Sequence, residues 1–115
     1  MTQRLKVVMA QLNMLVGDID GNTQRIIAAA GQAIAEYSAD LIVFPELALI
    51  GYPPEDLLLR PSLQIRIEKA LEKILTADLQ VTIVVGFPEL VDGKLYNALA
   101  VIKGKQCLTG YRKQC

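Results

Sequence analysis

Five side chains in the 115-residue sequence have types and settings that could do chemistry: Glu46, Glu89, Cys107, Lys113 and Cys115. The chain contains no histidine. Devices of the Ser-His or Cys-His kind and histidine metal sites are therefore excluded from its own residues, and a carboxylate is the natural general base. Glu46 follows the apolar run Leu41-Ile42-Val43-Phe44 and then Pro45. Such a run is a strand, and Pro45 ends it by removing a ladder donor. In parallel α/β sheets reactive groups gather just beyond the carboxyl ends of strands, so from position alone Glu46 is either a base or an exposed strand-end acid. Glu89 stands in a repeat of the same motif, Phe87-Pro88-Glu89-Leu90 after Phe44-Pro45-Glu46-Leu47. Asp92-Gly93 follows it closely, so Glu89 is expected as a solvated acid at a hairpin end.

Lys113 follows a strand-like run over 106–111 much as Glu46 follows its own. A lysine beside a carboxylate holds it ionised and stabilises a developing oxyanion, although spacing does not bring the two together and a solvated lysine fits the same position. Cys107 lies inside a strand run and reads as a small buried hydrophobe. Cys115, at the end of the sequence, is a poor place to preorganise a thiolate even with Lys113 as a positive neighbour. No glycine-rich loop follows a strand, so direct nucleotide binding has no support.

The elements that must position these residues alternate. Leu5–Leu12 reads as a buried strand, and residues 17–22, Gly-Asp-Ile-Asp-Gly-Asn, as a loop in which Asn22 caps a helix over 23–37. The strand 41–44 comes next, then a long connection through Pro53-Pro54, and then a helix from Pro61-Ser62 to Ala77 with Leu63, Ile67, Leu71 and Ile74 on one face. A third strand spans 81–86, Asp92-Gly93 makes a tight turn into 95–102, and Gly104 turns into 106–111. The order β-α-β-α-β followed by a meander demands right-handed crossovers, parallel pairing first and antiparallel pairing after, hence a mixed sheet in one α/β domain.

Composition narrows the function classes. Twelve basic residues balance twelve acidic ones, and 52% of the chain is apolar, which excludes a disordered tail, a collagen-like repeat and a polybasic arm. Lys103, Lys105, Arg112 and Lys113 give a basic end, but no aromatics interleave with them, so no nucleic-acid partner is expected. No run approaches the roughly 20 apolar residues of a membrane helix. Arg4 and Lys6 precede only a short apolar stretch that Gln11, Asn13, Asp18 and Asp20 interrupt, so neither a signal peptide nor a membrane partner is expected. Two cysteines suit a reducing compartment, and a cytoplasmic protein is expected.

Phe44-Pro45-Glu46-Leu47, Gly51-Tyr52 and Tyr111-Arg112-Lys113 resemble the first two signature blocks of the nitrilase, or carbon–nitrogen hydrolase, superfamily. The string Gly51-Tyr52-Pro53-Pro54-Glu55-Asp56-Leu57-Leu58-Leu59-Arg60-Pro61 is similar to the glutaminase domains of glutamine-dependent NAD+ synthetases, and Gly17-Asp18, Gly21-Asn22 and Tyr96-Asn97 agree with it. The resemblance covers essentially the whole chain. It implies an α-β-β-α sandwich with a mixed sheet, of which residues 1–115 form the N-terminal portion with no second domain. Among the two Phe-Pro-Glu-Leu copies it selects Glu46 as general base, and it makes Lys113 the cation that stabilises the tetrahedral intermediate. Tyr52 is a candidate wall of the substrate pocket, or a packing aromatic.

The family's nucleophilic cysteine lies further downstream, so neither Cys107 nor Cys115 corresponds to it. The chain alone is therefore expected to lack glutaminase activity and to be a truncated or fragmentary product, with sheet edges and an apolar face exposed. The implied partners are glutamine, a synthetase domain and further copies of the same chain. This portion is expected to need no metal or cofactor, whereas ATP and Mg2+ belong to the synthetase domain, which adenylates deamido-NAD+ and makes the whole enzyme a ligase of the amidotransferase kind. Two alternatives stand beside it: another nitrilase-type amidase or carbamoylase, and a non-catalytic α/β module that binds a partner through its sheet edge.

Overall fold

A computed structural model describes residues 5–12, 18–45 and 60–114, with 108–114 given by backbone alone. Among these residues five strands form one mixed sheet in the order β1-β2-β3-β4-β5, comprising β1 (Val7–Met9), β2 (Leu41–Val43), β3 (Leu79–Val91), β4 (Lys94–Gly104) and β5 (Gln106–Gln114). Helix α1 (Ile19–Tyr37) joins β1 to β2, and helix α2 (Pro61–Thr76) precedes β3. Pairing is parallel for β1–β2–β3 and antiparallel for β3–β4–β5. This is the mixed sheet expected from the alternation of elements.

Both crossovers step across the sheet in the same direction, so right-handed connections put both helices on one face. There the side chains alternate as a pleated strand requires. Ile42 and Phe44 of the β2 segment, Val81, Ile83, Val85 and Phe87 of β3, and Ala98, Ala100 and Ile102 of β4 are buried against Ile26, Ala30 and Ala33 of α1 and Ile67, Ala70 and Ile74 of α2. The opposite face is also apolar, and among the described residues no helix packs on it. Val7 is 46% exposed, Met9 70% and Leu99 37%, and Leu41, Val43, Val84 and Val101 beside them are half-buried.

Local chemistry moved several boundaries. Helix α1 begins at Ile19, not at Thr23, because Asp18 rather than Asn22 caps it: its carboxylate accepts from the Gly21 amide at 3.1 Å. A Cβ on Gly21 would lie 2.2 Å from Asp18 Oδ2, so only glycine lets the cap close over the first turn. Asn22 is instead buried inside that turn, accepting from the Arg25 guanidinium at 3.2 Å. β1 is shorter than the strand expected over 5–12, since its only neighbour among the described residues, β2, supplies three partners. The turn at Asp92-Gly93 forms as expected, with φ of 50° and 77°, the left-handed pair that a two-residue hairpin needs.

β3 runs through Phe87-Pro88 to Val91 and does not stop at Gly86. The Thr82 amide donates to the Asp40 carbonyl and the Val84 carbonyl accepts from the Phe44 amide, both at 3.0 Å. Even-numbered residues of β3 therefore turn their backbone polar groups toward β2, and β2 has ended before Pro88 is reached. The missing proline N–H removes no ladder bond to β4, as at a strand edge.

Candidate active site

The carboxyl end of β2 continues its pairing one residue past the strand, through the Phe44 amide. Phe44 is buried and Pro45 exposed. Glu46 is the next residue and, like Tyr52 and Cys115, lies outside the described residues. Met9, Val43, Val84, Val101 and Thr109 form one row across all five strands. β2, β3 and β5 cross that row in the same direction. Measured along the chain, Glu46 comes three residues beyond it on the β2 side and Lys113 four residues beyond it on β5.

Lys113 does not follow the last strand, as expected, but is part of it: β5 extends to Gln114, and Lys113 pairs with Asn97, which in turn pairs with Pro88. The extension comes from β4, which is long enough to template β5 as far as Tyr96. A register shift between Val101 and Ile102 sets which residue of β5 meets Asn97. Glu89 departs from the solvated acid expected. It sits inside the β3–β4 ladder opposite Tyr96, half-buried, with Oε1 shielded from solvent, because β3 carries on past it to Val91. Cys107 is exposed rather than buried, since it lies near the start of β5, the outermost strand on that side of the described sheet.

Gln64 was not among the expected site residues. It lies at the fourth residue of α2 and donates from Nε2 to the Pro88 carbonyl at 3.2 Å, the acceptor in the Asn97–Lys113 row. The sequence did hold a signal, because Gln64, Ile67, Leu71 and Ile74 form one helical stripe, and a polar residue on a buried stripe needs a partner.

The chemistry these residue types could supply is acyl transfer without histidine: a carboxylate base that follows β2 in sequence and an ammonium carried on β5, which runs in the same direction with β3 and β4 between them. The chain belongs to the carbon–nitrogen hydrolase family, which matches residues 6–114. Its relatives include glutamine-dependent NAD(+) synthetases, from Xylella fastidiosa at 43% identity over 99% of this chain and 21% of that protein, and from Thermotoga maritima at 46% identity over 96% and 19%. The solved glutamine-dependent NAD+ synthetase of Acinetobacter baumannii, in complex with adenosine diphosphate, superposes with a TM-score of 0.85 at 44% identity, over 95% of this chain and 20% of that one. An amidase from Nesterenkonia sp. shares the fold, with a TM-score of 0.82 at 21% identity over 95% of this chain and 42% of that one. The chain thus spans about a fifth of the length of the curated relatives it matches. Among the described residues no helix is long and apolar enough to cross a membrane.

Proposed function

We propose that residues 1–115 furnish the base and the cation of a glutaminase site that releases ammonia from the side-chain amide of glutamine for the synthesis of NAD+ from deamido-NAD+. The observation that supports this is the common direction of β2 and β5 across the Met9–Val43–Val84–Val101–Thr109 row: β2, which Glu46 follows in sequence, runs toward the end of the sheet at which the Lys113 backbone lies. Identity of 43–46% to glutamine-dependent NAD(+) synthetases over nearly the whole chain supports the choice of substrate.

In this mechanism Glu46 takes the proton of a cysteine thiol, and the thiolate adds to the amide carbon of glutamine. The Lys113 ammonium stabilises the oxyanion of the tetrahedral intermediate. Glu46 returns the proton to the departing nitrogen, ammonia leaves, and a glutamyl thioester remains. Water activated by Glu46 then cleaves the thioester to glutamate and regenerates the thiol. Neither Cys107 nor Cys115 is that nucleophile, so residues 1–115 alone release no ammonia. In the complete, cytoplasmic, oligomeric enzyme a synthetase domain holding ATP and Mg2+ would consume the ammonia, making the overall reaction a ligation.

The test is a chimera in which residues 1–115 replace the matching segment of the Acinetobacter baumannii synthetase. Glu46→Gln and Lys113→Met are each expected to lower glutamine-dependent turnover by about a thousandfold or more while synthesis from free ammonia persists. Cys107→Ala should leave both unchanged. Glutaminase turnover that survives Glu46→Gln or Lys113→Met would refute the assignment.

A further inference from the structure

The outer edge of β1 gathers apolar surface that the fold leaves to solvent. Among the described residues six large apolar side chains are exposed, and four of them stand here: Leu5 at 69%, Val7, Met9, and Tyr37 at 58%. Tyr37 ends α1, and together with Glu36 and Lys6 it borders a recess of about 450 Å³ against Val7 and Val8.

The backbone of this edge is open as well. The Ala10 amide donates to the Val43 carbonyl at 2.9 Å, and the Lys6 carbonyl accepts from the Leu41 amide at 3.1 Å. Even-numbered residues of the segment therefore bond to β2. Leu5, Val7 and Met9 turn their N–H and C=O groups the other way, where no strand lies among the described residues. Natural sheet edges are guarded by proline, bulges or charges. Residues 5–11 hold no proline and one charge, Lys6, and β1 pairs with β2 without a register shift.

The strand is complementary to itself. Laid antiparallel about Val7, Leu5 of one copy meets Met9 of the other and Val7 meets Val7, and each such pair exchanges two backbone bonds. These pairs bring apolar side chains together on the face opposite the helices, because Val8, on the helix side, packs against the core. On the helix side Lys6 comes beside Val8 of the second copy, at the recess that Glu36 borders, so cation meets carboxylate twice across the two-fold axis. We propose that the β1 edge is a pairing surface for a second copy of this chain, the two β1 strands joining antiparallel about Val7 into one continuous sheet. The proposal uses no group of the glutaminase site and stands apart from that assignment.

Sedimentation equilibrium of the 115-residue chain tests it, with melting recorded alongside. The edge is narrow, so a weak, concentration-dependent dimer is expected. Val7→Pro removes the central N–H, which β2 does not use. It should raise the dimer Kd about a hundredfold, two hydrogen bonds being lost per dimer, with the melting temperature of the monomer nearly unchanged. Leu99→Lys, on the sheet face away from this edge, should leave the Kd unchanged. Lys6→Glu and Glu36→Lys should each raise the Kd about five- to tenfold, and together restore it. With Cys107 and Cys115 replaced by alanine, Val7→Cys should form an intermolecular disulfide, since the Cα atoms of a hydrogen-bonded pair stand about 5.5 Å apart. A chain that stays monomeric up to about 1 mM, or an association that Leu99→Lys abolishes and Val7→Pro does not, would overturn the proposal. If Val7→Pro does not fold, the charge reversal and the crosslink decide: no restoration and no disulfide overturn it.

Discussion

Replacing Gly21 by alanine should have opposite consequences depending on the residue at position 18. Alanine is ordinarily better than glycine inside a helix by about 0.8–1 kcal/mol. Here the new Cβ would meet Asp18 Oδ2 at 2.2 Å and Cγ at 2.7 Å, so the carboxylate must swing away. That loses the cap to the Gly21 amide, worth about 1 kcal/mol, and loosens the 3.7 Å pairing with Arg25, which is worth little for half-exposed partners. In the parent chain the gain and the loss nearly cancel, so Gly21→Ala changes stability by under about 0.5 kcal/mol. Asp18→Ala alone costs about 1 kcal/mol. With the carboxylate gone, Gly21→Ala recovers its full propensity gain, and the double variant returns to within a few tenths of a kcal/mol of the parent. The coupling is then about −1 kcal/mol, or roughly 4 °C in melting temperature for a chain of this size. Urea titration of the four proteins, followed by far-ultraviolet circular dichroism, measures it. Equal effects of Gly21→Ala in both backgrounds would show that the carboxylate does not dictate glycine at position 21.

Two further outcomes follow from the packing. Ile74→Ala, at a position with 0% exposure between α2 and the sheet, should cost about 2–5 kcal/mol in the same titration. Charging the sheet face opposite the helices with Met9→Lys and Leu99→Lys should reduce self-association of the 115-residue chain in light scattering, yet destabilise the chimera by a few kcal/mol; equal effects in both settings would refute a covering partner for that face.

The sequence disclosed what depends on short-range pattern. The apolar runs at 41–44 and 83–85, the stripe of α2 and the Asp92-Gly93 turn led to the mixed sheet, whereas Lys113, read as following the last strand, lies within β5. Features that depend on a distant neighbour were not. Gly21 and Asn22 look like loop residues until Asp18 folds its carboxylate over them. Pro88 looks like a strand terminator because its harmlessness depends on β2 having already stopped. The pairing of Lys113 with Asn97 follows from a register shift between β4 and β5 that no residue type announces, and the shielding of Glu89 follows from the length of β3.

The order of synthesis and the order of pairing do not coincide in this sheet. β3 and β4 are joined by two residues and β5 follows after a single turn residue, so the meander can close as soon as it is made. β1 and β2 leave the ribosome first, but each parallel pairing must await a crossover helix, and β2 must also await β3. Val8, Ile42 and Phe44, whose face is covered only when the helices and β3 are in place, therefore wait longest for their partners in the nascent polypeptide, and chaperone capture during translation would fall on them.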